Sequence, residues 1–166
     1  MSEALFPPER TLAEAATEFF DNYDRPQGAT CPCCDRHGKL NVVTMTKSMI
    51  KNMAWLARNE GCDRFVHLPT EAPRSVLTSN NMGKLRHWGF TRRRTNDDEP
   101  DKNHTGWHMV TSAGIAFLEG RIRANSAAFI YDDRVMQWRE DQVTVSDVLK
   151  TPFNFRRQVL EDSARG

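Results

Sequence analysis

The stretch that most constrains this chain runs from Lys84 to Leu118, KLRHWGFTRRRTNDDEPDKNHTGWHMVTSAGIAFL. Apolar residues at helical spacing stop at Trp88, and Gly89 follows, the residue best suited to turn a chain out of a helix. Phe90 to Arg94 reads as a short basic strand. Thr95 to Thr105 is a polar loop without an apolar side chain to bury. Gly106 to Val110 then reads as a second strand, and Thr111 as the cap of a helix carrying Ile115, Phe117 and Leu118. Two strands around a long charged loop, set between two helices, leave few arrangements open.

This outline resembles a winged helix-turn-helix, in particular the lower half of the multiple-antibiotic-resistance repressor type. There a helix ends in a Gly-apolar step, crosses a wing and re-enters a helix through Thr-x-x-Gly. The matching positions here are Trp88, Gly89 and Phe90, then Thr111, Ser112, Ala113 and Gly114. The resemblance covers roughly residues 46–121 and implies an α+β fold. Its winged helix-turn-helix core would carry an N-terminal helical arm, a Cys knuckle and a C-terminal β-hairpin or meander. Four segments follow: an arm over 1–30, the knuckle over 31–45, the winged-helix domain over 46–124, and a hairpin segment with tail over 125–166.

Along the rest of the chain, Thr11 can cap a helix over Leu12 to Phe20, with Leu12, Ala16, Phe19 and Phe20 as an apolar stripe. That stripe needs cover from the rest of the chain or from a second subunit, so a homodimer is one arrangement to expect. Thr46 opens a second helix whose Met49, Ile50, Met53, Leu56 and Ala57 keep core spacing. Pro69 and Pro73 then limit the following segment to a single helical turn. The next helix, about Arg74 to Trp88, is the expected recognition helix. Met82, Leu85 and Trp88 form its core face, while Asn80, Gly83 and His87 lie opposite, with Lys84 beside them. Further on, Phe129 to Tyr131 and Val135 to Trp138 read as a hairpin turned by Asp132-Asp133. Val143 to Val145 reads as a third strand, and Ser146 as the cap of a short helix.

Charge is uneven although the whole chain carries only +1. Residues 31–95 hold twelve Lys and Arg against four acids, a net of +8, whereas residues 1–30 and 96–101 each carry −4. A basic centre of this kind suits a polyanion. Arg74, Asn80, Asn81, Lys84, His87, Arg92, Arg93 and Arg94 are the expected nucleic-acid contacts, because Asn and basic side chains reach base edges and phosphates. At least one of the three consecutive arginines should turn inward or pair with Asp97, Asp98, Glu99 or Asp101.

Three of the four cysteines, Cys31, Cys33 and Cys34, lie within four residues, with Cys62 apart. Cys31-x-x-Cys34 is the spacing with which two thiolates chelate one tetrahedral zinc from a knuckle. His37 and Cys62 are the expected remaining ligands, with Cys33 and His67 as alternates and sharing across a dimer also open. Reduced structural thiols and a redox pair are the competing readings. No phosphate-cradling Gly loop, H-E-x-x-H or framed nucleophile set is present, so a non-enzyme is expected.

A second resemblance spans about four-fifths of the chain. CPCC at Cys31 to Cys34, HLPTEAPR at His67 to Arg74 and LRHWGF at Leu85 to Phe90 are similar to a widespread family of tailed-bacteriophage proteins. So are GWHMVTSAGIAF at Gly106 to Phe117 and IYDDRV…VTVSDVLKTPFNF between Ile130 and Phe155. Asp35 departs from the Gly that this family tends to have after its cysteines. The resemblance implies a small phage-encoded factor in the bacterial cytoplasm, which agrees with the lack of an apolar run of about 18 residues and with an acidic, Pro-broken start unlike a signal peptide. The functional expectation is a regulatory or accessory protein that binds nucleic acid, double-stranded DNA above all. The alternative is a protein-interaction module that modulates a host or phage protein.

Overall fold

The computed structural model describes residues 11–25, 27–59, 62–79, 81–98, 100 and 103–161. In chain order the elements are α1 (Leu12–Phe20), β1 (Ala29–Thr30), β2 (His37–Gly38), β3 (Asn41–Thr44), α2 (Lys47–Arg58) and β4 (Val66–His67). Next come α3 (Leu68–Glu71), α4 (Arg74–Ser79), a 3-10 helix (Met82–Trp88), β5 (Thr91–Arg93), β6 (Trp107–Val110) and α5 (Ser112–Leu118). The chain continues through β7 (Ala124–Asn125), β8 (Ala127–Tyr131), β9 (Arg134–Trp138), β10 (Gln142–Val143) and α6 (Val145–Leu149) to a last helical turn, Arg156–Glu161. The fold is mixed α and β, as expected. It divides into two compact units, residues 1–43 with 128–138, and residues 44–127 with 139–166.

In the first unit, Thr11 and Glu14 cap α1 reciprocally: the Thr11 hydroxyl accepts from the Glu14 N–H, and the Glu14 carboxylate accepts from the Thr11 N–H. The buried residues of α1 are Ala15 and Phe19, while Leu12 and Phe20 stand exposed. This corrects the expected stripe of Leu12, Ala16, Phe19 and Phe20. The helix is rotated by Phe19, whose ring joins Tyr23 and Tyr131 at centroid distances of 6.0 and 5.6 Å. β1 and β2 pair antiparallel around the cysteines, and β3, β8 and β9 form a sheet in that order. The β8–β9 turn places Asp132 and Asp133 at φ of 46° and 63°, the two positive values a two-residue hairpin turn needs.

In the second unit, Thr46 caps α2 as expected. Met49, Ile50, Met53, Leu56 and Ala57 are all buried there, with Asn52 and Ala54 beside them. The sheet runs β4-β6-β5, antiparallel throughout, with Thr91 opposite Val110 and Arg93 opposite His108. Phe90 stacks on Phe117 at 4.8 Å, tying the sheet to α5. The expected single helix over Arg74–Trp88 is instead two short pieces. Ser79, Asn80 and Asn81 are poor helix-interior residues that hydrogen-bond with other partners. Two of them do so here: the Asn81 amide donates to the Ser48 hydroxyl at 2.7 Å, and the Ser79 hydroxyl accepts from the Asn52 amide at 2.6 Å. Gly89, at φ 70°, ends the 3-10 helix.

The C-terminal segment departs from expectation in two further respects. β10 pairs with β7 rather than extending the hairpin, and Thr144, not Ser146, caps α6 through a reciprocal pair with Asp147. Asp147 is thereby held below the ordinary carboxylate range, first by the Thr144 N–H and then by its hydroxyl.

Gly114 lies where α5 crosses Phe90, and a Cβ there would collide with the Phe90 carbonyl oxygen and lie 2.8 Å from Val110 Cγ1. Gly114→Ala is therefore expected to lower unfolding stability by about 1–3 kcal/mol, read as the midpoint shift in urea. A change below ~0.5 kcal/mol would show that α5 can move off the strand at no cost.

Candidate functional site

Side chains alternate across a strand, so the β4-β6-β5 sheet presents two chemically different faces. On one, the Arg94 guanidinium lies 4.0 Å from the Trp107 ring centroid, and Trp107 lies 4.8 Å from His67. Beside them the Arg92 guanidinium lies 4.8 Å from the Phe65 ring, with an Nη2 to Met109 Sδ contact of 3.6 Å. Phe65, His67, Trp107 and Met109 are all half-buried. Cations and aromatic rings thus interleave on one partly open surface. Each such contact contributes about 0.5–1 kcal/mol at an exposed site.

Local partners hold the arginines in place. Arg92 pairs with Asp98 at 2.7 Å, and Arg94 donates to the Asn103 carbonyl at 2.9 Å. The Asp98 carboxyl is lowered by the Thr95 N–H first and by Arg92 after it. The inward-pairing expectation is met at Arg92. At the base of the same face, Glu71 accepts from the His67 N–H at 2.9 Å and from Arg64 at 2.9 Å, and its carboxyl is lowered, mainly by Arg64.

The other face turns Val66, Thr91, His108 and Val110 inward, and all four are buried. Arg93 stands opposite His108, and its Nη2 lies 2.6 Å from where a side chain on Gly83 would begin. Gly83 therefore leaves room for this guanidinium. Burial, then the charges of Arg93 and Arg86, push the His108 imidazole down to about 4.

The expected contact residues are dispersed by the broken helix. Arg74 and Lys84 are exposed, and His87 is half-buried. Asn81 is a correction: its amide is engaged with Ser48 on α2 and cannot read a base edge from a continuous helix. Asn80 lies outside the described residues. The rings of Phe65, His67 and Trp107 belong to the site but were not among the expected contacts. A period-2 signal over Gly106–Val110 pointed to a strand, yet only its register with β5 puts Trp107 beside Arg94.

The cysteines form a tight turn closed by β1 and β2. The Cys31 N–H donates to the Arg36 carbonyl and the Asp35 N–H to the Cys31 carbonyl, both at 2.9 Å. Backbone N–H groups of Cys33 and Cys34 reach the Cys31 sulfur and lower its pKa. Asp35 sits at φ 55°, a left-handed conformation that Asp tolerates better than most residues. His37 lies on β2 with its ring against Gly28. Cys62 belongs to the second unit, with its thiol 3.9 Å from the Ala57 carbonyl. Among the described residues, no three of His, Cys, Asp and Glu stand together as a metal-holding group. The knuckle chemistry fits two thiolate ligands, Cys31 and Cys34.

Compared with protein-family models, curated proteins and solved structures, the chain matches none. No helix among the described residues is long and apolar enough to cross a membrane.

Two outcomes follow from these environments. His108 binds its proton less readily folded, at about 4, than unfolded, near 6.5. Stability should therefore be fully present above pH 6.5 and fall as pH drops from there toward 4, by at most roughly 3 kcal/mol. Urea midpoints at pH 7 and pH 4.5 read this, and His108→Phe should flatten the difference; an unchanged difference would remove His108 as its source. Cys31 should react with iodoacetamide at pH 7 faster in the folded protein than in guanidinium, because its thiolate fraction is raised. Equal rates would mean the backbone N–H groups do not stabilise its thiolate.

Proposed function

We propose that this protein binds nucleic acid, double-stranded DNA foremost, through the face that combines Arg92 and Arg94 with Phe65, His67 and Trp107. The observation that carries this reading is the placement of the aromatic rings directly beside the arginines. Guanidinium groups neutralise phosphates, and flat rings with a cation above them suit sugar and base surfaces. Two further features support it. The order β4, short helices, β5, loop, β6 with strand order β4-β6-β5 is the connectivity expected of a winged helix. Arg74 and Lys84 also add exposed positive charge from the helical side.

The helices themselves argue for a particular kind of binding. A four-residue α3 and a broken α4 do not offer the continuous recognition helix that reads a major groove. The contact surface in this proposal is the wing sheet, and recognition rests on phosphates and shape more than on base edges. The role is that of a regulatory or accessory factor. It agrees with the resemblance to small cytoplasmic bacteriophage proteins and requires no catalytic centre. Structural zinc enters the same proposal only at the Cys31–Cys34 knuckle. A metal analysis of the purified chain finding well under one zinc per two chains removes it.

A second reading, a protein-interaction module, draws on the first unit, which exposes Leu12 at 73%, Phe20 at 49%, Val42 at 50% and Met136 at 46%. Apolar residues on that scale are the usual material of a contact with another protein.

Fluorescence anisotropy with a random duplex decides between them. With four to six phosphate contacts the log–log slope of affinity against salt should be about −4 to −5. Changing Arg92 and Arg94 together to Ala should flatten the slope by about 2 and weaken binding. An absence of binding at low salt discards the nucleic-acid reading and leaves the apolar surface of the first unit as the leading site.

A further inference from the structure

The edge of the β5–β6 hairpin holds a second feature, which shares Arg94 with the stacked face. Arg93, Arg94, His104, Thr105, Gly106 and His108 line a cleft of about 360 Å³. No carboxylate is among these lining residues. His108 is 6% exposed, and its Nδ1 has no hydrogen-bond partner among the described residues. The same is true of His104 Nδ1, although its other ring nitrogen is 2.7 Å from Asn96 Oδ1. Leaving one buried polar atom unmet costs about 1–3 kcal/mol, and the two imidazoles that carry these atoms line one cleft with two arginines. Buried polar groups in native proteins are paired, so a ligand that meets them is the economical explanation.

The chemistry of that ligand follows from its surroundings. Arg93 from β5 and Arg86 from the 3-10 helix place positive charge on His108, His104 approaches from the loop, and Arg94 adds a further cation. Such a cleft repels metal cations and attracts an anion. Guanidinium groups prefer oxyanions that accept two parallel hydrogen bonds. The volume falls within the ~300–1,000 Å³ of small-molecule sites, which favours a phosphate group carried on something larger.

We propose that this cleft is a phosphate-binding site, with Arg93 and Arg94 as charge partners, and with His108 and the protonated form of His104 donating the remaining hydrogen bonds. The site stands on its own geometry and does not require that the stacked face bind nucleic acid. Its phosphate can come from a nucleic-acid terminus or backbone, or from a free phosphorylated small molecule. Binding also couples to pH. A bound anion offsets the field of Arg93, Arg86 and Arg94 on His108 and favours its protonated form.

The test is a titration of the full chain with inorganic phosphate, followed through the imidazole resonances of His104 and His108 by NMR at pH 7 and pH 5.5. The expected result is a saturable shift of both, with the apparent pKa of His108 raised by phosphate. Arg93→Gln should weaken binding at least tenfold, and a titration at the exposed His37 should show no saturation. Shifts that do not saturate, or that Arg93→Gln leaves unchanged, would mean an adventitious ion only and overturn the site. If Arg93→Gln does not fold, His108→Gln serves in its place, with His104 as the reporter. Competition separates the sources. Phosphate binding displaced by a 5′-phosphorylated duplex assigns the phosphate to nucleic acid. Phosphate binding without any duplex binding supports the cleft, assigns it a free phosphorylated ligand, and counts against the nucleic-acid reading alone. Duplex binding without saturable phosphate binding overturns the cleft and leaves that reading standing.

Discussion

The antiparallel pairing of β5 with β6 is the constraint on which the rest of the second unit depends. Three contacts at the closed end lock its register. The Thr111 N–H donates to the Phe90 carbonyl at 3.0 Å, the Thr111 hydroxyl to the Gly89 carbonyl at 2.5 Å, and the Phe90 ring stacks on Phe117. A slip of one residue would exchange the two faces of a strand. His108 and Val110 would then turn outward, and Trp107 would lose Arg94. Both the stacked face and the polar cleft exist because this register places a particular arginine opposite a particular ring or imidazole.

Positive charge concentrated in a folded chain has to be accommodated, and three devices are visible. Arg92 is neutralised locally by Asp98, whose carboxylate is itself fixed by Thr95. Arg94 spreads its charge over the Trp107 ring and a carbonyl. Near Arg93 and Arg86 the adjustment falls instead on His108, which gives up its proton. In the proposed nucleic-acid reading, Arg92 exchanges Asp98 for a phosphate on binding, so the acidic start of the loop tempers affinity.

The first unit follows a different economy. Its hairpin of two-residue strands buries little, and its order comes from the backbone. Asp35 and Gly28, at φ 55° and 75°, are left-handed residues on either side of the cysteine turn. Phe19 and Tyr131 close over Gly38, where a larger residue would find their rings in its place. The Cys31 thiol is lowered first by the backbone N–H groups of Cys33 and Cys34, with the Cys34 and Cys33 side chains adding to them.

Much of the architecture was legible because it rests on local rules. Thr11, Thr46 and Thr111 cap their helices through hydroxyl-to-N–H contacts within three residues. Met49, Ile50, Met53 and Leu56 follow helical period, Gly89 takes a conformation few other residues can, and Asp132-Asp133 can form a tight turn unaided. The same reasoning failed where distant partners decide. Asn52 and Ser48 on α2 draw Ser79 and Asn81 away from a helix that spacing alone would have continued. Phe19 turned α1 toward Tyr131, a residue more than a hundred positions away in the chain. The sequence by itself determined the locally capped helices, the tight turns and the surplus of positive charge at the centre. Only the tertiary structure decided which arginine meets Trp107 and which imidazole is buried, because register and burial are properties of strands brought together and not of either strand alone.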